Sequence, residues 1–264
     1  MPLPRTLFIT ALVVAPPGYY VYSTVNRLEA KYPRLRPEAA STTALRTPAF
    51  PVTHHTPHVD IYGGKLPVRV LLEQHAPDGR KLSLEEAWAK LFFESPTLRL
   101  EGKLFGGFAR GPGDCGERGF HPKQQLLHGA MEVIRAPSPP SSSAAASRFL
   151  RLPLAQPAPL LVQWTFPPQV VGFVHKAAVD WGYPWRFMTG GRHEFAVGEP
   201  DNDGLVEVRF ASAHDYERVN QEGHKQKTIP EWTARLHRVY AMWLLDERIE
   251  TLKKKAAETE ARGD

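Results

Sequence analysis

Between Trp181 and Tyr216 the chain crowds together side chains with the means for acid–base or binding chemistry: WGYPWRFMTGGRHEFAVGEPDNDGLVEVRFASAHDY. His193 follows the pair Gly190–Gly191. An imidazole titrates near neutral pH, so a cavity-facing His193 could serve as general acid or base. His214, Asp215 and Tyr216 follow an apolar run, where a strand end beside a cavity mouth would present them to a ligand. The catalytic candidates are therefore His193, His214 and Tyr216. Arg186 sits among aromatics and could stack on Trp181 or Trp185 or bind a carboxylate. Glu207 and Arg209 lie two apart and can pair, or orient the polar end of a ligand. With Phe195 and Tyr240 these residues form the ligand-binding set. His237 and Tyr240 are spaced i, i+3, and a Tyr hydroxyl there could donate to a ligand carbonyl.

A hairpin must position these groups. Arg192–Val197 alternates with Phe195 and Val197 on one face, and Leu205–Ser212 alternates with Val206, Val208 and Phe210 on one face. EPDNDG between them is made of residues that take tight-turn dihedrals cheaply. His193 and Glu194 then point to opposite faces, with His193 on the side of Phe195. Further strands are expected within Thr97–Phe105 (TLRLEGKLF), around 126–135 and 160–166, and a short one within His58–Gln74. Ser83–Glu94 reads as a helix with an S-x-x-E capping box and a stop before Pro96. Gln169–Asp180 reads as a second helix. Thr228–Leu252 is the longest, with TIPE as its start. These elements predict an α+β fold: a curved antiparallel sheet gripping a long C-terminal helix, with an apolar cavity between them.

Four segments are expected: an N-terminal membrane anchor over 1–27, a Pro-rich linker or strap over 28–57, a ligand-cavity domain over 58–252 and a polar, fraying tail over 253–264. A flexible insert, 136–147, interrupts the domain. No charge occurs from Thr6 to Asn26, and LFITALVVA (Leu7–Ala15) is the apolar heart of that run. An uncleaved single-pass anchor is the preferred reading. Pro16 to Gly18 would kink it, and a signal peptide or a peripheral segment are the alternatives. Basic residues are heavier after the run than before it, which orients the domain to the cytosol.

Several chemistries find no support. A net charge of +5 without a basic aromatic face argues against nucleic-acid binding. His54, His55 and His58 form the only histidine cluster, but no HExxH or CxxC accompanies them, so no metal site is expected. No Gly-rich βαβ fingerprint or phosphate loop is present, and no cofactor is expected. Cys115, the single cysteine, lies in a glycine-rich loop without an evident base.

The hairpin also carries a resemblance. Glu194, Phe195, Val197, Glu199, Asp203, Gly204, Val206, Val208, Arg209 and Ser212, with Arg235, Arg238 and Tyr240 on the last helix, are similar to the acidic-turn hairpin and C-terminal helix of a domain family of unknown function with a START-like, helix-grip fold. An apolar start followed by WGYPWRFMTGGRHE also resembles a group of fungal proteins of unknown function. The resemblance implies an apolar ligand cavity and no established reaction. The partner expected is a hydrophobic small molecule or lipid, held by a membrane-anchored protein. That protein would be a carrier or a cofactor-free cyclase or isomerase of a biosynthetic intermediate. A membrane scaffold with a collapsed cavity is the alternative.

Overall fold

The computed structural model describes residues 19–105, 113–138 and 158–262. They form an α+β domain around a curved, wholly antiparallel sheet of six strands. The strands are β1 (His54–Pro67), β2 (Gln125–Leu126), β3 (Met131–Arg135), β4 (Leu160–Thr165), β5 (Gly190–Val197) and β6 (Leu205–Glu217). The main helices are α1 (residues 19–31), α2 (Leu84–Phe93), α3 (Pro96–Phe105), α4 (Pro168–Val179) and α5 (Glu231–Arg262). Their spatial order, β1-β6-β5-β4-β3-β2, is a meander whose last strand returns beside the first.

The β5–β6 hairpin forms as its alternation dictates. Phe195 opposes Phe210 and Val197 opposes Val208. In the turn, Asp201 Oδ1 accepts from the amides of Asp203 and Leu205, at 3.1 and 2.9 Å. Gly204 supplies the positive φ that a side chain would resist. Inside the sheet, Phe92 of α2 stacks on Phe210 at 4.8 Å and meets Phe195 at 5.0 Å. Such aromatic pairs add about 0.5–1.5 kcal/mol each beyond their burial. Helix α5 lays Met242, Leu245, Ile249 and Leu252 into the same core and packs mainly on β1. It crosses at Gly64, where an added Cβ would fall 2.5 Å from Ile249 Cδ1.

Several expectations need correction. TLRLEGKLF is not a strand but helix α3. Ser95 Oγ accepts from the Leu98 amide at its start, and after Thr97 the segment has no β-branched residue to oppose a helix. Leu98 and Glu101 turn inward while Leu100 and Leu104 are exposed, which is helical and not strand spacing. The strand expected over 126–135 is two, β2 and β3, broken by positive φ at Leu127, His128 and Gly129. The short strand of His58–Gln74 is the 14-residue β1. It lies at the sheet's edge, where Pro57 and Pro67 cost the least. Strand β6 runs on to Glu217, so His214, Asp215 and Tyr216 lie within it. The polar tail is the continuation of α5 to Arg262, held by burial of Ala256 and by Arg69 bonding the Ala256 carbonyl and Glu260. Glu231 turns to Arg238, not back to Thr228.

The stretch 28–57 is packed on the domain and does not stand apart as a linker. Leu28 and Tyr32 enter the main core. Leu35, Ala40 and Leu45 cover Ile61, Leu161, Ala211 and Ala213 on the outer face of the sheet. Helix α1 crosses the expected boundary at residue 27. Arg27, Lys31 and Tyr32 all bond Asp246 of α5, at 3.0, 2.5 and 2.8 Å. Among the described residues no helix is long and apolar enough to cross a membrane. The run Leu7–Ala15 lies outside the described residues, as does most of the insert 136–147. At the base of that insert Ser138 and Ala158 are joined by two hydrogen bonds.

Candidate functional site

The inner face of the sheet carries a band of polar side chains among the aromatics. Strand parity aims His193 and Phe195 of β5, and Phe210, Ser212 and His214 of β6, toward α5. His237 of α5 meets His214, Nε2 to Nε2, at 2.7 Å. One ring must donate and the other accept. Tyr240 donates to Glu101 Oε2 of α3 at 2.5 Å. Trp164 of β4 lies between His193 and His214, with ring centroids 6.2 Å from each. The glycine pair leaves no room for a side chain: a Cβ on Gly191 would fall 2.4 Å from the Ala213 carbonyl oxygen and 2.7 Å from the Trp164 ring, and one on Gly190 2.5 Å from the Trp164 carbonyl oxygen.

Burial holds these imidazoles neutral. His193 is lowered to about 3, chiefly by desolvation and then by His237, against a hydrogen bond that its ring gives to the Ala211 backbone. His214 is lowered well below its ordinary value by burial, with His237, His193 and His58 adding repulsion. His237 is lowered by burial, which Asp60 opposes. Burial raises the Glu101 carboxyl above its usual range, against the Tyr240 hydrogen bond. Between sheet, α3 and α5 this leaves a cavity of about 30 Å³ lined by His193, Ser212, Glu101, His237 and Tyr240. Among the described residues, His193 Nδ1, Ser212 Oγ and Trp164 Nε1 are buried without a protein partner. Such atoms call for water or a small polar group. Among the described residues the space between sheet and α5 is thus largely filled by aromatics, and the cavity there is far smaller than the apolar one expected.

A larger space opens on the outer face of the sheet, where Arg192 and Asp215 point. This groove, of about 510 Å³, runs between the sheet and α4. Phe50, Trp164, Phe166 and Val171 give it an apolar wall, and His54, Gln163, His175 and Glu217 a polar one. On its floor Arg192 pairs with Asp215 through two hydrogen bonds, at 2.5 and 2.9 Å. Arg192 is buried and also donates to the Leu45 carbonyl at 2.9 Å and to Thr56 Oγ1 at 3.1 Å. Beside it on the outer face, Glu194 accepts from the hydroxyl and amide of Thr42 and from Arg135. Among the described residues no group of three His, Cys, Asp or Glu side chains could hold a metal ion.

The residues singled out in the sequence divide between these places. His193, Phe195 and Tyr240 line the inner cavity, and His214 adjoins it through His237. Tyr216 lies on the same strand face but packs with Met188, Ile229 and Ala234, its ring 5.9 and 6.1 Å from His55 and His58. Glu207 and Arg209 do not face the cavity. Parity sends them to the outer face, where they stand 3.8 Å apart and Arg209 reaches the Ala40 carbonyl. Arg186 does bind a carboxylate, but one of its own chain: Glu222 at 2.5 Å, with His175 at 3.0 Å. Trp181 and Trp185 are exposed and line neither space. Glu101 and Arg192 were missed, as were the partnerships of His237 with His214 and of Asp215 with Arg192. Glu101 fell in a segment read as a strand. The signal for the pair was present in the alternation, since Arg192 shares a face with Glu194 and Asp215 shares one with Ala213. Cys115 is buried, and burial raises its thiol.

Fold and site together define an α+β domain with an antiparallel sheet, a C-terminal helix on its inner face and a ligand-sized groove outside. No family model, curated protein or solved structure matches the chain.

Proposed function

We propose that this protein binds a hydrophobic small molecule, in the groove beside Trp164, as a carrier at a membrane. The groove carries the reading. At about 510 Å³ it has the size of a small-molecule site, with aromatic walls and a few fixed polar groups. The order of elements supports the START-like, helix-grip assignment: a first strand, two helices, a meander returning beside that strand, then a long helix on the inner face. The anchor over 1–27 belongs to this reading through the uncharged run that leads into α1. A cyclase or isomerase would need its substrate beside His193 and His214. The space there is about 30 Å³, room for a water molecule, which favours binding over catalysis. Titration of the native protein with an apolar fluorophore tests the reading. Saturable binding displaced by a membrane lipid is expected; a signal that never saturates, or none, overturns it.

A further inference from the structure

Helix α4 has two apolar sides. Pro168, Val171 and Gly172 line the groove. Val170 and Phe173 point to solvent, Phe173 at 64% exposure. The segment after the helix extends this second side with Trp181, also 64% exposed, then Tyr183 and Trp185. Phe173 and Trp181 meet edge to face at 6.0 Å, and Tyr183 and Trp185 at 5.3 Å. A soluble domain with no partner on this side would leave large aromatics bare to water, which contiguous surfaces rarely do.

The patch is held firmly and at a particular end of the molecule. Lys227 Nζ bonds the carbonyls of Ala178 and Tyr183, at 2.8 and 3.0 Å, and the Arg186 amide bonds the Thr228 carbonyl at 3.1 Å. Those bonds fasten the aromatic loop to the segment that enters α5, whose first turn exposes Trp232. One turn on, Arg235 bonds Glu29 of α1 at 2.8 Å and lies within electrostatic reach of Tyr22. Tyr19, Tyr20 and Tyr22 are exposed on α1, and in the sequence they belong to the uncharged run Thr6–Asn26. Trp and Tyr are the side chains that settle at a membrane–water boundary, with apolar ring and polar edge. A helix with such a face lies in the interface plane and does not cross it.

We infer that the face formed by Val170, Phe173, Trp181, Tyr183 and Trp185 docks on a lipid bilayer surface, with Trp232 at its rim. Two features favour a bilayer over a protein: the Trp and Tyr content of the patch, and the exposed Tyr19, Tyr20 and Tyr22 of α1, a helix tied to the start of α5 through Glu29 and Arg235. The inference does not depend on what the groove holds. The full chain is mixed with vesicles of phosphatidylserine and phosphatidylcholine, the latter brominated in its acyl chains, and its tryptophan emission is followed. Bromine quenches indoles that enter the interface. Quenching is expected in the parent chain. In W181F/W185F it falls by roughly two-thirds, the share of the patch's indoles removed, while flotation with the vesicles persists. Equal quenching in both proteins overturns the inference, as does a chain that floats with vesicles unquenched. A chain that stays off vesicles also overturns it, and one that then sediments as a dimer assigns the face to a second copy.

Discussion

Removing the carboxylate of Asp215 should be among the costliest single changes on the outer face. Arg192 has 2% of its surface exposed and the Asp215 side chain 9%, so both charges are out of water. In Asp215→Ala the guanidinium keeps only the Leu45 carbonyl and Thr56 Oγ1. Leaving one member of such a pair buried and uncompensated costs about 3–5 kcal/mol, a large part of the roughly 5–15 kcal/mol that holds a domain folded. Replacing both, as in Arg192→Met with Asp215→Leu, removes the desolvation cost along with the attraction. It should lose less than the single change does. The assay is urea unfolding followed by circular dichroism, with an unchanged slope as the check that midpoints report stability. If Asp215→Ala costs under about 1 kcal/mol, or the double variant loses as much as the sum of its singles, the pair is not the buried, coupled unit described.

Acid should weaken the fold before most carboxylates titrate. His193 is lowered in the folded state, from an ordinary 6.5 to about 3, so the unfolded chain takes up a proton first as pH falls. Stability is full above about pH 6.5 and declines below it, by about 2 kcal/mol for this group by about pH 5. His193→Gln should flatten the slope of stability against pH by about one proton; an unchanged slope would mean the imidazole is not held neutral. Gly64→Ala should cost about 1–3 kcal/mol by driving a methyl into Ile249. Ile249→Val, which removes the Cδ1 atom in the way, should recover part of that loss in urea unfolding, and strict additivity would refute the contact.

Much of the scaffold was legible because local chemistry and tertiary demand agree there. EPDNDG is a turn by its own dihedral preferences, and Phe195 and Phe210 alternate onto one face. Ser83 accepts from the Glu86 amide as an N-cap should. In the other arm of that capping box the outcome differed, because Arg80 takes the Glu86 carboxylate at 2.8 and 2.9 Å. Strand β1 was hidden by two prolines and two glycines, which an edge position and the crossing helix tolerate. Helix α3 was misread because Leu98, Leu100 and Leu104 alternate, although only tertiary packing decides which of them is buried. The candidate site was legible by side-chain type more than by partnership. His193 was placed on the correct face by parity alone. The meeting of His214 with His237, and of Tyr240 with Glu101, follows from where α5 and α3 cross the sheet. Groove and inner cavity lie on opposite faces of the sheet, and the close packing of the Trp164 indole on Gly191 has no signature in the alternation of β4.

A ligand in the groove needs it open, and Gly172 allows it to be closed gently. An added Cβ there meets nothing within 4 Å, and replacing a helical glycine by alanine favours the helix by about 0.5–1 kcal/mol. The decisive measurement is apolar-ligand affinity in two variants of this one position. Gly172→Ala should bind as the parent does, and Gly172→Trp, equally folded, should bind about tenfold more weakly or not at all. Parent-like affinity in a well-folded Gly172→Trp protein would contradict the account and move the ligand elsewhere.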